Sequence, residues 1–173
     1  MRLFVAINFN KETRGALCTL RDELRSHSAR GNFSAPENLH LTLAFLGECN
    51  ILQTDAVKTA MSAVTIAPLE IRIGRIGRFK RVGGDIWWAG IQDCRALTNL
   101  QCDLTNRLIN AGFALDRRNY SPHITLGREV ITDVVPWQIA SFGETVDRFE
   151  LMKSERIDGK LTYTSIFTVK GDA

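Results

Sequence analysis

Residues 40–45 read HLTLAF and residues 123–128 read HITLGR: two copies of His-x-Thr-Leu, 83 positions apart, in a chain of 173 residues with three histidines. With 14 threonines and 18 leucines in the chain, any one histidine meets Thr at +2 and Leu at +3 by chance about 0.8% of the time. Coincidence is therefore a poor account of the pair. Each stretch alternates polar and apolar residues, the period of a strand with one buried face. His40 and Thr42 then share one face against Leu41 and Leu43, and His123 and Thr125 stand likewise against Ile124 and Leu126. Each motif presents an imidazole beside a hydroxyl with apolar residues behind, so the fold must be one that places two such strands.

Upstream, RLFVAINF (residues 2–9) is apolar and rich in strand formers, and reads as a first strand. Residues 11–30 carry Ala16, Leu17, Leu20 and Leu24 on one helical face, with Asn10 as cap and Gly31 as stop. NFSAPEN (residues 32–38) is a polar turn leading into the first motif. The spacing predicts a second helix from about Thr54 to Val64, with Val57, Ala60, Met61 and Val64 inward and Pro68 beyond it. Residues 69–81 and 85–92 read as two strands joined by a tight turn at VGGD, and residues 96–111 as a helix with Leu97, Leu100, Leu104, Leu108 and Ala111 on one side and Gly112 as cap. The loop LDRRNYSP (residues 115–122) enters the second motif strand. Beyond it, FELMKSERIDG (149–159) and LTYTSIFTVKG (161–171) read as two more strands around an IDGK turn. The class is α+β, with about three helices on antiparallel sheets. Strand, helix and histidine strand follow in that order in each half, so one domain over residues 1–173, made of two similar lobes, is expected.

A chain of this length buries a sufficient core without metal or disulfide. Its 45% hydrophobic and 24% charged residues are those of an ordinary globular protein, and a net charge of +3 permits a polyanionic ligand without the strongly basic footprint of a dedicated nucleic-acid binder. Cys18, Cys49, Cys94 and Cys102 form no C-x-x-C pair and are expected as free thiols. The opening MRLFVAINFN has too short an apolar run for a secretory signal, and no stretch reaches the roughly 20 apolar residues of a membrane span. A cytoplasmic monomer without membrane contact is the expectation.

Two imidazoles facing one cleft have an evident chemical use. Histidine titrates near pH ~6.5, so one ring can accept a proton while the other donates one, as in-line attack on a phosphodiester requires. The threonines can donate hydrogen bonds to non-bridging phosphate oxygens. Metal catalysis is the competing use of histidine, but H-x-H, H-E-x-x-H and a His-Asp pair are all missing, and His27 lies in the polar run LRSHSARG as an exposed helix-end residue. Arg72, Arg75, Arg78, Lys80 and Arg81 could follow an RNA backbone or serve as a solvated, edge-protecting strand face. Arg117, Arg118 and Tyr120 sit at the mouth of the second motif, where a loop could touch substrate. Trp87 and Trp88 point to opposite faces, so at most one can stack on a base.

Paired H-x-T-L motifs in a chain of this size resemble the 2H phosphoesterase superfamily, and within it the bacterial and archaeal RNA 2′,3′-cyclic phosphodiesterases, also described as 2′-5′ RNA ligases. MRLFVAI resembles the family's opening strand, PENLHLTLAFLG and SPHITLGR its motifs, IWWAGI its middle strand and KSERIDGKLTYTSIFTV its closing pair. The resemblance implies a bilobal, pseudo-symmetric α+β fold with the motif strands side by side across a central cleft. It also implies opening of an RNA 2′,3′-cyclic phosphate to a 2′-phosphate, with no metal and no cofactor. By position, His40 is then the proton donor to the departing 3′ oxygen and His123 the proton acceptor that activates water, with Thr42 and Thr125 on the phosphate. Two further substrate-binding positions, five residues after each histidine, are Phe45 and Arg128. Strand alternation puts both on the face away from His, so Phe45 reads as core unless the strand bulges, while Gly127 could provide the break for Arg128. The partner implied is an RNA or oligonucleotide with a cyclic phosphate end. Joining of 2′-5′ ends by the same residues, and a non-catalytic RNA-end-binding module, are the alternatives.

Overall fold

The computed structural model describes residues 1–116 and 118–172. Nine strands and three α-helices, with one short 3₁₀ turn, are found among them: β1 Arg2–Asn8, α1 Lys11–Ser26, β2 Ser28–Phe33, β3 His40–Glu48, α2 Ile51–Ser62, β4 Leu69–Phe79, β5 Asp85–Ile91, α3 Arg95–Asn110, β6 His123–Thr132, β7 Trp137–Val146, β8 Arg148–Ile157 and β9 Lys160–Lys170. They build two antiparallel sheets, in the orders β3-β1-β8-β9 and β2-β6-β5-β4-β7. This is the expected α+β class. β1 is interior to its sheet, and Leu3 to Ile7 are all buried, which is why its sequence is apolar without alternation. A continuous core joins the apolar faces of both sheets and the helices, from Leu3 and Leu41 through Leu104 to Leu126 and Phe149.

Helices α1 and α2 start at asparagine caps. Asn10 accepts from the Thr13 N–H at 2.8 Å and opens α1, whose Leu17, Leu20 and Leu24 are buried. Helix α2 begins at Ile51, earlier than Thr54. Asn50 and Gln53 form a reciprocal capping box at 2.8 and 2.9 Å, a polar signal that apolar spacing does not register. Helix α1 stops at Ser26, short of Arg30. Residues 28–33 instead form β2, an edge strand on β6, because a hydrogen-bonded ladder outweighs a polar stretch's weak helical preference. Edge strand β7 is likewise absent from the sequence-based expectation. Its burial follows no clean alternation, and it owes its form to pairing with β4.

The final hairpin turns on Asp158 and Gly159, with φ of 51° and 78°, the positive values that a two-residue turn between twisted strands requires. No helix among the described residues is long and apolar enough to cross a membrane. Cys18, Cys49, Cys94 and Cys102 are free thiols.

Candidate active site

His40 is the first residue of β3 and His123 the first of β6, and these two strands approach each other where the sheets meet. Each ring is oriented in the same way. His40 Nδ1 lies 2.7 Å from the Asn38 carbonyl and His123 Nδ1 lies 2.8 Å from the Ser121 carbonyl, in both cases the residue two before. A carbonyl can only accept, so Nδ1 carries the hydrogen and Nε2 is left as the working nitrogen. His40 Nε2 lies 2.9 Å from the Thr42 hydroxyl, which donates to the neutral ring. Both histidines, Thr42 and Thr125 line one cleft of about 740 Å³.

Aromatic rings box each imidazole. Phe4 and Tyr163 lie 4.8 and 5.3 Å from His40, the latter edge-on; Phe79 stands edge-on to His123 at 5.1 Å, with Trp88 at 6.2 Å. Burial is the main cause that lowers both histidine pKa values, since removing water disfavours the cation. The backbone carbonyls pull the other way, and the Arg128 charge lowers both further, as His123 does for His40.

Phe45 and Arg128 both reach the cleft, which corrects the reading of Phe45 as core: its side chain is 52% exposed. The cause is a bulge at the same place in each motif. Against β1 the register slips between Thr42 and Ala44, and against β5 between Thr125 and Gly127. Leu43 and Ala44 are consequently both buried, as are Leu126 and Gly127, and the fifth residue rejoins the histidine's face. Arg2 lies over the Phe45 ring at 5.0 Å.

Other side chains join the site without a signal in their own stretch of sequence. Tyr163, Arg156 and Lys160 come from the β8–β9 hairpin, and Asn38 from the turn before the first motif. Tyr163 has only its place in an alternating strand to mark it, and nothing local marks the two cations. Tyr120 is turned inward, where its hydroxyl donates to the Thr42 carbonyl at 2.7 Å, and burial raises its pKa well above the usual phenol value. Arg118 is held by Asp116 at 2.6 Å, and Arg117 lies outside the described residues.

The basic run is elsewhere. Arg75 lies over Trp88 at 5.2 Å, Arg78 over Trp87 at 5.5 Å and Arg81 over Phe79 at 5.6 Å, while Arg72 donates to the Ser141 hydroxyl at 3.1 Å. Arg72 and Arg75 lie where β4 is paired with β7 on its other side, so these two protect no edge. Trp87 and Trp88 are both buried, so neither offers a free face to a base. His27 is exposed at the end of α1, and no group of three or more His, Cys, Asp and Glu side chains gathers among the described residues.

A family described as LigT like Phosphoesterase matches residues 7–88. An RNA 2′,3′-cyclic phosphodiesterase of Archaeoglobus fulgidus is 33% identical over 162 residues, covering 89% of this chain and 91% of the relative. One of the same name from Geobacillus stearothermophilus is 31% identical over 129 residues, covering 73% of this chain but 41% of the relative's length. Among solved structures, Escherichia coli LigT complexed with 3′-AMP superposes with a TM-score of 0.87 at 28% identity, over 99% of this chain and 98% of that one.

Proposed function

The chain belongs to the LigT-like phosphoesterases of the 2H superfamily and is an enzyme of that family, and on that premise we propose that it opens RNA 2′,3′-cyclic phosphate ends to 2′-phosphates with two histidines and no metal. The observation that carries this reading is the pair of imidazoles in one cleft, each with Nδ1 pinned to a carbonyl two residues before it, which leaves Nε2 as the proton-transfer nitrogen, on His40 beside the Thr42 hydroxyl. The relatives named RNA 2′,3′-cyclic phosphodiesterase support the substrate.

In this mechanism His123 Nε2 takes a proton from water as the water oxygen attacks phosphorus in line with the 3′ oxygen. The P–O3′ bond breaks, and protonated His40 gives its Nε2 proton to the departing oxygen, leaving a 3′-hydroxyl and a 2′-phosphate. His123 then returns its proton to solvent and His40 regains one. Thr42, Thr125 and Arg128 meet the charge that builds on the non-bridging oxygens, and Phe45 offers its exposed ring to the nucleobase. The assignment of donor and acceptor follows the family's pattern, because the two rings are held alike.

The test is hydrolysis of cytidine 2′,3′-cyclic phosphate in excess chelator. His40→Ala and His123→Ala should each cut kcat by about 10²- to 10⁴-fold with the far-UV spectrum unchanged. Normal turnover by either variant, or activity abolished by EDTA and restored by a divalent cation, defeats the reading.

A further inference from the structure

The cleft extends past the reacting centre along the β8–β9 hairpin. In the register of these strands Ser154 faces Tyr163 and Arg156 faces Leu161, so all four side chains share the sheet face that carries His40. Tyr163 stands edge-on to His40. Leu161 and Arg156 come two residues further out, about 7 Å along the strand, and Lys160 follows at the turn. Arg156, Lys160, Leu161 and Tyr163 all line the cleft.

Two observations make this strip more than a solvated hairpin. The first is its fixed distance from the histidines: Asn38, whose carbonyl holds the His40 ring, also donates from Nδ2 to the Leu161 carbonyl at 3.0 Å. One residue thus ties both the proton-transfer group and the hairpin. The second is charge. Arg156 Nη1 donates to the Gly159 carbonyl at 3.1 Å, which holds the guanidinium at the turn, and no carboxylate pairs with Arg156 or Lys160 among the described residues. Arg128 lies close enough to depress both histidines and so belongs to the reacting phosphate. The outer pair is left for a different anion, one step away along an extended strand.

We propose that Arg156 and Lys160 form a subsite for the phosphodiester immediately 5′ of the terminal nucleotide, so that the substrate class is an oligonucleotide with a cyclic end rather than a mononucleotide. This rests on the function proposed above and adds where the rest of the RNA lies. A nucleoside 2′,3′-cyclic phosphate has no such phosphate and leaves the subsite empty.

The experiment compares kcat/KM on cytidine 2′,3′-cyclic phosphate with that on a tricytidylate bearing the same cyclic end, over a range of salt. The wild type should favour the trinucleotide. The ratio of the two values should fall on the order of five- to ten-fold in the R156A/K160A double variant, and R156K/K160R should keep most of it. The log–log salt slope for the trinucleotide should flatten by about 0.7 for each phosphate that the double variant no longer neutralises. A wild type indifferent to length, or a double variant with the full ratio, overturns the subsite. Failure to turn over either substrate instead sinks the proposed function. In that event, fluorescence anisotropy of a labelled trinucleotide with a 2′-phosphate end still decides the subsite, which is refuted if wild type and R156A/K160A bind with the same affinity and salt slope.

Discussion

At the scale of single residues the site is a study in how a protein tunes imidazole. His40 and His123 are surrounded by aromatic rings and share the field of Arg128, and both pKa values fall below the ordinary 6.5. The acid must be protonated and the base neutral, so kcat/KM declines as pH rises past the donor's lowered pKa and as it falls past the acceptor's. The maximum of kcat/KM is therefore expected on the acid side of 6.5. Arg128→Ala removes a charge that depresses both rings, so the surviving activity should peak at higher pH than in the wild type. A profile that stays in place excludes Arg128 as an electrostatic partner of the pair. Stability is linked to the same shifts. Below 6.5 the unfolded chain takes up protons that the folded histidines still refuse, so folding free energy drops as pH falls through that interval and is preserved above it.

At the scale of elements, the decisive feature is the bulge that each motif strand carries after its threonine. It brings a fifth residue to the histidine's side, an aromatic in β3 and a cation in β6. The bulged end of β6 continues into Glu129, which has φ of 53° and packs against the tip of the β4–β5 hairpin. Two adjacent glycines at that tip separate conformational strain from close approach. Gly83, at φ +84°, has open space where a Cβ would lie, whereas Gly84, at φ +133°, would place a Cβ 2.5 Å from the Glu129 backbone. Gly83→Ala should cost roughly 1 kcal/mol, and Gly84→Ala clearly more, in the range of about 2–4 kcal/mol, because backbone rather than a flexible side chain must move. Denaturant melts of the two variants measure the difference, and equal losses would show that the approach to Glu129 is not tight.

At the scale of the whole molecule, two hydroxyls cross from the approach to one motif to the backbone of the other. Tyr120, three residues before His123, donates to the Thr42 carbonyl at 2.7 Å, and Ser34, six before His40, donates to the Thr125 carbonyl at 2.9 Å. These bonds set the separation of the two histidine strands. Tyr120→Phe leaves the Thr42 carbonyl without its partner and should cost about 1–3 kcal/mol of stability, with a fall in kcat larger than any change in KM. Lost stability with unchanged kcat would mean that Tyr120 supports the fold and not the alignment of the rings. The strand orders β3-β1-β8-β9 and β6-β5-β4-β7 correspond position by position, which supports our reading of the domain as two similar lobes. They are not sequential halves, since β8 and β9 return to complete the first sheet and β2 crosses to the second.

Alternation and helical spacing are local properties of the chain, so the motif strands, the faces on which His40, Thr42, His123 and Thr125 lie, the presence of three helices and the antiparallel class are legible in the residues alone. Pairing and packing between distant segments make strands of β2 and β7, turn Phe45 and Arg128 into the cleft through bulges, and bring Tyr163 against His40 with Arg156 and Lys160 further along the same cleft. The physical reason is the range of the interactions. An edge strand exists through its ladder partner, a bulge through a register slip against a neighbour, and a cleft through residues such as His40 and Lys160 that line it together from 120 positions apart, none of which any short window of residues encodes.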